Sequence, residues 1–146
     1  GNADNNIIIG GTGQDTLNGG AGDDTYRYAL GDSVDKIFDS AGLSDSVLFN
    51  NVSHEQLWFW QSGDDLRIGI LNTSDKLTVE DWYSDSNAKI ETFNTIDDSY
   101  VLLETSVQQL VDAMAAFAVP NSGSLDVPQN IQDDVQSVIT TAWQAA

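Results

Sequence analysis

Residues 10–27 read Gly-Gly-Thr-Gly-Gln-Asp-Thr-Leu-Asn and then Gly-Gly-Ala-Gly-Asp-Asp-Thr-Tyr-Arg, so one nine-residue pattern occurs twice in succession. Both copies match the form G-G-x-G-x-D-x-U-x at every fixed position, where U is a large apolar residue. Asp15 and Asp24 are sixth in their copies, and Leu17 and Tyr26 are eighth. The period predicts a tight six-residue loop followed by a three-residue strand whose middle side chain points inward.

The flanking turns follow the same pattern less strictly. The first nine residues place Asn6 in the sixth position. After an insertion at Tyr28-Ala29, residues 30–38 place Asp35 sixth, and a weaker fifth turn places Asp45 similarly. Terminal repeats are expected to deviate because one side of each faces a cap instead of another repeat.

The loops have the chemistry of a calcium site. Glycines let carbonyl oxygens converge without obstruction, and the aspartates add anionic oxygens. Ca²⁺ takes about six to eight oxygen ligands in flexible geometry, whereas Mg²⁺ demands a stricter octahedron and keeps its water. Zinc prefers His or Cys, and the chain has one histidine and no cysteine. The repeats therefore predict calcium binding.

These nonapeptides resemble those of the RTX family, the repeats-in-toxin proteins of Gram-negative bacteria. The resemblance implies a right-handed parallel β-roll in which an ion lies between one loop and the loop two turns on. Positions two, four and six of the first loop then join positions one, three and six of the second, mostly through backbone oxygen.

The resemblance implies two or three Ca²⁺ ions in this chain. The implied ligand sets are Asn2, Asp4 and Asn6 with Gly19, Ala21 and Asp24; Gly11, Gly13 and Asp15 with Leu30, Asp32 and Asp35; and Gly20, Gly22 and Asp24 with Asp39, Ala41 and Asp45. The insertion at Tyr28-Ala29 leaves the register of the last turns open, so the first two sets are the better defined.

Three regions follow from the patterning. Residues 1–39 hold the repeats, residues 40–103 a β-rich flanking and capping region, and residues 104–146 a helical tail. Within the flank, short apolar runs separated by turn residues predict strands, at 47–49, 57–60, 66–70, 77–79 and 100–103. The predicted fold class is mainly β, a β-roll capped by this flank, with one or two carboxy-terminal helices.

The tail predicts two amphipathic helices. The first begins with a Ser106-x-x-Gln109 capping box and stops near Pro120. The second follows Pro128, and its apolar stripe extends to Trp143. Ordinary docking of these helices on the strand region is the alternative to a role in export.

Both the flank and the tail resemble the regions that follow the roll in RTX proteins. Residues 64–68 and 78–83 are similar to the capping strands, and the helix around residues 107–117 is similar to RTX secretion tails. The resemblance implies an uncleaved carboxy-terminal signal read by a type I secretion apparatus, with its ABC transporter, adaptor and outer-membrane channel. The expected location is therefore extracellular or at the cell surface, and the expected switch is folding when calcium binds outside the cell.

The amino-acid composition limits the classes of partner that the chain is expected to bind. Asp and Glu total 23 against 5 Lys and Arg, so the formal charge of −18 repels nucleic acids and anionic lipid surfaces. No apolar run is long enough to predict a transmembrane segment, and no amino-terminal signal pattern is present. Gly1 begins inside the repeat pattern, which suggests a piece of a longer protein.

Two other function classes can be weighed. Trp58, Trp60, Trp82 and Tyr83 would form the platform of a carbohydrate-binding module, although apolar residues on both faces of a strand more often indicate burial. No catalytic motif surrounds His54, which is expected at the surface, so the chain is not expected to be an enzyme.

Overall fold

A computed structural model describes all residues from Gly1 to Ala146, and the chain is mainly β structure with two helices, as predicted. The strands are β1 (Ile7–Ile9), β2 (Thr16–Asn18), β3 (Thr25–Ala29), β4 (Val34–Phe38), β5 (Ser46–Asn50), β6 (Leu57–Ser62), β7 (Asp65–Ile70), β8 (Lys76–Val79), β9 (Thr92–Thr95), β10 (Tyr100–Leu103) and β11 (Trp143–Ala145). The helices are α1 (Glu104–Met114) and α2 (Gln129–Ala142), with short 3-10 helices at His54–Gln56 and Ser86–Ala88.

Successive repeat strands belong alternately to two sheets. The first sheet has the order β1-β3-β5-β9-β10-β11, and the second has the order β2-β4-β8-β7-β6. Each repeat strand pairs in parallel with the strand two along the chain, so Ile7 lies opposite Thr25 and Thr16 lies opposite Lys36. The pattern continues beyond the repeats, because β9 pairs in parallel with β5 and β8 with β4.

Both sheets are mixed because their carboxy-terminal halves are antiparallel. Strands β10 and β11 extend the first sheet in antiparallel register, and β7 and β6 extend the second. The β6–β7 hairpin turns tightly between Ser62 and Asp65, where Gly63 adopts a φ of 61°. Glycine adopts this left-handed conformation without steric cost, which suits a short hairpin loop.

One hydrophobic cluster of 30 buried residues extends from Leu17 to Trp143 and draws on the repeats, the flank and the tail. The eighth-position side chains Leu17, Tyr26 and Ile37 are buried in it, as the nonapeptide pattern predicts. Phe93 of β9 contributes an aromatic centre that stacks on Phe49 with 6.5 Å between ring centroids. The three sequence regions thus share a single core.

The helices pack on this core through the predicted apolar stripes. Val107, Leu110 and Met114 of α1 are buried, but the helix begins at Glu104, so the predicted Ser106 capping box is wrong. Strand β10 leads directly into α1, and Leu103 is the amino-terminal cap without a side-chain hydrogen bond. Helix α2 follows Pro128 as predicted. Neither helix has the length and apolar character that crossing a membrane requires.

Trp143 and His54 differ from their predictions. Trp143 belongs to β11, not to the second helix, and its side chain is buried. His54 is buried instead of exposed, because its ring stacks on Tyr100 with 3.8 Å between centroids and its Nδ1 lies 2.7 Å from Asp98 Oδ2. A carboxylate partner allows a polar ring to leave solvent.

Candidate calcium sites

The sixth-position residues form two ladders, one beside each sheet. In the first ladder the backbone amide of Asn6 donates to Asp24 Oδ1 (2.8 Å), and the amide of Asp24 donates to Asp45 Oδ1 (2.7 Å). In the second ladder the amide of Asp15 donates to Asp35 Oδ1 (2.9 Å). The parallel register causes this stacking, since residues two turns apart lie one above the other.

Each ladder aspartate leaves its second oxygen without a partner. The Oδ2 atoms of Asp15, Asp24, Asp35 and Asp45 are buried and accept no hydrogen bond. An unpaired buried carboxylate oxygen is strongly destabilising unless a cation compensates it. Hard, oxygen-seeking Ca²⁺ provides such compensation. The residues present therefore fit calcium.

Asp24, Asp39 and Asp45 form an acidic cluster in which one carboxylate oxygen from each lies within 4.8 Å of the other two, and their side chains are excluded from solvent. Burial, reinforced by the neighbouring carboxylates, raises the pKa of Asp45 to about 7 and also raises the pKa of Asp39. Like charges packed this closely cannot all remain ionised without a counter-charge.

Tyr26 positions one member of this cluster. Its hydroxyl donates to Asp39 Oδ2 (2.5 Å) and accepts from the amide of Gly19 (2.9 Å). Burial, together with the charge of Asp39, raises the pKa of this hydroxyl well above its ordinary range. The inward-pointing aromatic side chain is therefore a structural support for the acidic loops as well as a core residue.

Of the three expected ligand sets, the third is assembled most completely. Its two loops are joined where Ser40 Oγ donates to the Gly20 carbonyl (3.0 Å) and where Asp23 Oδ1 accepts from the amide of Leu43 (3.1 Å). A Cβ on Gly42 would lie 2.5 Å from the Gly22 carbonyl oxygen. The close stacking places the loop of Gly20, Gly22 and Asp24 against the loop of Asp39, Ala41 and Asp45.

The first set also stacks closely. Gly20 and Gly22 have φ values of 97° and 103°, and a Cβ on them would lie 2.7 Å from the Asn2 carbonyl oxygen and 2.8 Å from that of Asp4. Asn6 joins the same stack through its amide, and Ala21 lies between the two glycines. Glycine is required here because no side chain fits between the loops. Asp24 Oδ2 faces Gly19, where an added Cβ would lie 2.2 Å away.

The second set is brought together only in part. Asp15 meets Asp35, but Leu30 and Asp32 lie in a tight turn in which Asp32 Oδ2 accepts from the amide of Ala29 (2.9 Å). A Cβ added to Gly11 or Gly13 would meet no atom within 4 Å, so the facing loop is not stacked on these glycines. The insertion at Tyr28-Ala29 causes the difference, because it extends β3 by two residues before the chain turns.

Two acids outside the repeats continue the ladders, and the repeat pattern alone does not reveal them. Glu91 Oε2 accepts from the amide of Asp45 (2.7 Å) in the first ladder. Asp75 accepts from the amides of Gly31 (2.7 Å) and Ser33 (3.2 Å) beside the second. For Glu91 a signal was present, because Glu91-Thr92-Phe93 has the acid, threonine and apolar order of Asp24-Thr25-Tyr26.

The aromatic residues do not form a common platform. Trp58 is buried and packs edge-on against Phe117, with 6.3 Å between ring centroids. Trp82 is buried against Phe93, which also contacts Phe59. Since Trp58 and Phe59 point to opposite faces of β6, the two tryptophans lie on different sides of the second sheet. The carbohydrate-binding alternative is therefore not favoured.

Comparisons with known proteins agree with the loop geometry. The family model of the RTX calcium-binding nonapeptide repeat (four copies) matches residues 1–35. That of the haemolysin-type calcium binding protein related domain matches residues 65–97.

Two curated relatives carry the name multifunctional-autoprocessing repeats-in-toxin. The one from Vibrio vulnificus is 29% identical over 131 residues, covering 77% of this chain and 2% of the relative. The one from Vibrio cholerae serotype O1 is 27% identical over 131 residues, covering 77% of this chain and 3% of the relative. Residues 1–35 therefore carry RTX calcium-binding nonapeptide repeats, and over 77% of its length the chain is similar to repeats-in-toxin proteins.

Proposed function

We propose that this chain is a carboxy-terminal module of a larger secreted RTX protein and that it folds when calcium binds outside the cell. One observation supports this most directly: four ladder aspartates each bury an oxygen that has no partner. Calcium would provide the missing positive charge. Asp24, Asp39 and Asp45 would hold one ion, and Asp24 with the carbonyls of Asn2 and Asp4 a second. Asp15 and Asp35 offer a third, less complete site.

The proposed architecture of residues 1–50 is the right-handed β-roll that the repeats imply. Parallel pairing of β1 with β3 and of β2 with β4 supports it, since alternate turns then belong to opposite sheets. The antiparallel strands of the flank would close one end of this roll.

The proposed switch depends on the difference in calcium concentration across the cell envelope. In the cytosol weak sites stay empty, and the clustered carboxylates repel one another, which favours the unfolded chain. Extracellular calcium modules have dissociation constants of about 10⁻⁴–10⁻³ M. A tenfold excess of calcium over such a constant stabilises the fold by about 1.4 kcal/mol per site. Calcium binding at two or three sites would therefore shift a marginal folding equilibrium toward the folded chain.

The proposed partner is the type I secretion apparatus, which would read a signal within residues 104–146. The apolar side chains of α1 and α2 are buried in the folded chain, so the signal would be read before folding. The chain's own role would be binding and folding rather than catalysis. This chain covers only 2% and 3% of its two relatives. The activity of a whole protein of that kind would therefore reside in sequence outside this module.

Circular dichroism and titration calorimetry test the calcium switch. We expect a reduced β signal in chelator because the repeats are unfolded, a cooperative gain in millimolar Ca²⁺ and no gain in Mg²⁺. The double variant D24N/D45N should lose the transition, whereas D134N removes an exposed carboxylate of α2 and should keep it. Equal spectra in chelator and calcium, with no heat of binding, would refute the switch.

Deletion of residues 104–146 tests the tail. Lost export with retained calcium-dependent folding would establish a signal without a structural role. Lost folding would establish a structural cap, as the burial of Leu110 and Trp143 suggests. In that case a fusion of the tail to an unrelated passenger protein tests export separately, and a passenger that stays in the cell would contradict the proposed signal.

A further inference from the structure

Three of the chain's five cationic side chains line one pocket on the outer face of the second sheet. Lys36 of β4 and Arg67 of β7 both lie opposite Thr78 of β8, and Lys76 lies two residues before Thr78 on the same strand. Since side chains two residues apart share a face of a strand, all three cations point to the same side. In a chain with 23 acids and 5 Lys and Arg, this is a marked concentration of positive charge.

The pocket has a volume of about 410 Å³, and one of its 11 lining residues is hydrophobic. Residues 121–123 form one wall, and the hydroxyls of Ser33, Ser74, Thr78 and Ser122 contribute further donors. Val34 is its one apolar lining residue, and no Asp or Glu lines it. The acidic character of the surface is therefore absent inside this pocket.

The cations of the pocket have hydrogen-bond donors that no acceptor in the protein occupies. Arg67 Nε is buried without a hydrogen-bond partner, and the guanidinium forms no ion pair. Lys76 is 4% exposed, and its Nζ donates to carbonyl oxygens, those of Gly123 (3.0 Å) and Ser74 (3.4 Å). Burial and the nearby Arg67 lower the pKa of Lys76, and the charge of Asp75 offsets this only in part.

Lys36 completes the pocket from its solvent side. Its side chain is about half exposed and lies 3.8 Å from Glu80, a pair at the surface. Such exposed pairs contribute little to stability, so breaking this one costs little. Lys36 is therefore able to turn toward a ligand held by Arg67.

We propose that this pocket binds a small oxyanion, with Arg67 as its principal ligand and Lys36 and Lys76 as supporting charges. A guanidinium matches the paired oxygens of a carboxylate, sulfate or phosphate group, and buried charge-assisted hydrogen bonds to such groups are strong. The site favours a small anion over an extended polyanion because the net charge of −18 repels the latter. The site lies outside the calcium loops.

Nuclear magnetic resonance titration of the calcium-loaded protein tests this site at the atom that carries the inference. Sulfate is the tetrahedral probe, since phosphate precipitates with calcium, and acetate is the carboxylate probe. We expect saturable shifts of the Arg67 Nε–H resonance and of the Thr78 and Gly123 amides. The tighter of the two anions identifies the ligand class. The same shifts in sodium chloride of equal ionic strength, or no saturation with either anion, would overturn the proposal.

Matched charge variants test the assignment of ligands. R67Q should weaken sulfate binding about tenfold, the effect of losing one charged hydrogen bond, and K36Q should weaken it less. R27Q removes the same charge from the exposed face of β3 and should leave binding unchanged. If R67Q does not fold in calcium, sulfate binding is compared instead between the wild-type protein and the R67K and K36Q variants. If R27Q and K36Q weakened sulfate binding equally, the effect would come from the change in net charge alone, and the proposed site would be refuted.

Discussion

The first 45 residues and the remainder of the chain bury different kinds of side chain. Four of the 30 core residues come from the first 45, namely Leu17, Tyr26, Tyr28 and Ile37. Four of the five buried carboxylates come from there too, namely Asp24, Asp35, Asp39 and Asp45, with Asp75 as the fifth. The flank and tail instead bury aromatic clusters centred on residues such as Phe59 and Phe93.

This difference indicates two sources of stability within one fold. Burial of apolar side chains stabilises the flank without any ligand. The repeats bury charge, which opposes folding until a counter-charge is present. We therefore expect calcium to control the repeats directly and the flank mainly through their shared core.

Calcium removal should have the largest effect and should separate the two regions. In chelator, amide hydrogens of β1 to β4 should lose protection from exchange, whereas those of β6 and β7 should keep most of theirs. The reason is that Ile68 and Phe59 remain buried without an ion. Hydrogen-exchange mass spectrometry in calcium and in chelator measures the contrast. Equal loss of protection in β3 and β7 would show that one cooperative unit covers the whole chain.

Phe93→Ala should cause the next largest effect. Phe93 is fully buried among Phe49, Phe59 and Trp82, so its truncation leaves a cavity. The expected loss is about 3–5 kcal/mol of unfolding free energy. Urea denaturation in saturating calcium measures it. Phe38→Ala, at a side chain 37% exposed, is the matched control and should cost far less. Similar losses for both variants would argue against the central position of Phe93.

Asp24→Ala should raise the calcium midpoint by at least tenfold, about 1.4 kcal/mol or more. Asp24 belongs to two of the expected ligand sets, whereas Asp39 belongs to one, so Asp39→Ala should shift the midpoint less. Calcium titrations followed by circular dichroism compare the two, with Asp134→Ala as the control for loss of an exposed charge. An unchanged midpoint for Asp24→Ala would refute the proposed register of the loops.

Lowering the pH should stabilise the metal-free repeats as calcium does, but to a smaller extent. Burial raises the pKa of Asp45 to about 7, above the ordinary value of 3.8. A raised carboxyl pKa stabilises the metal-free fold at low pH, and this contribution disappears as pH rises through about 7. In chelator the repeats should therefore be more ordered near pH 5 than near pH 8, with a slope below about 1.4 kcal/mol per pH unit from this group. Asp45→Asn should reduce the slope in thermal unfolding, and an unaltered slope would assign it to other groups.

Much of the molecule follows from local sequence signals. The nonapeptide spacing predicts the burial of Tyr26 and Ile37, because the eighth position of each turn points inward. Short apolar runs between turn residues predict β5 to β8 and β10, and helical spacing predicts the inward faces of α1 and α2. These features depend on residues close in sequence, where periodicity is informative.

The remaining features depend on contacts between distant residues. Strand β11 is one case, since Trp143 continues the apolar stripe of α2 and its pairing with Leu102 is visible only in three dimensions. The burial of His54 is another, because its partner Asp98 lies 44 residues away. The insertion at Tyr28-Ala29 changes the second ligand set through the length of β3, which spacing alone does not determine.

The side-chain hydrogen bonds of the first ladder all run in one direction, whereas the backbone carbonyls of Asn6, Asp24 and Asp45 accept from the following turn. Glu91 accepts from the amide of Asp45, Asp45 from that of Asp24, and Asp24 from that of Asn6. Each acceptor lies on the carboxy-terminal side of its donor, so a rung already fixed in the flank offers a template to the rung before it. Repeat arrays of this kind propagate order by nearest-neighbour contacts. Each turn is thus held by the turns on both sides of it, and order fixed in the flank at Glu91 would extend toward the amino terminus one turn at a time.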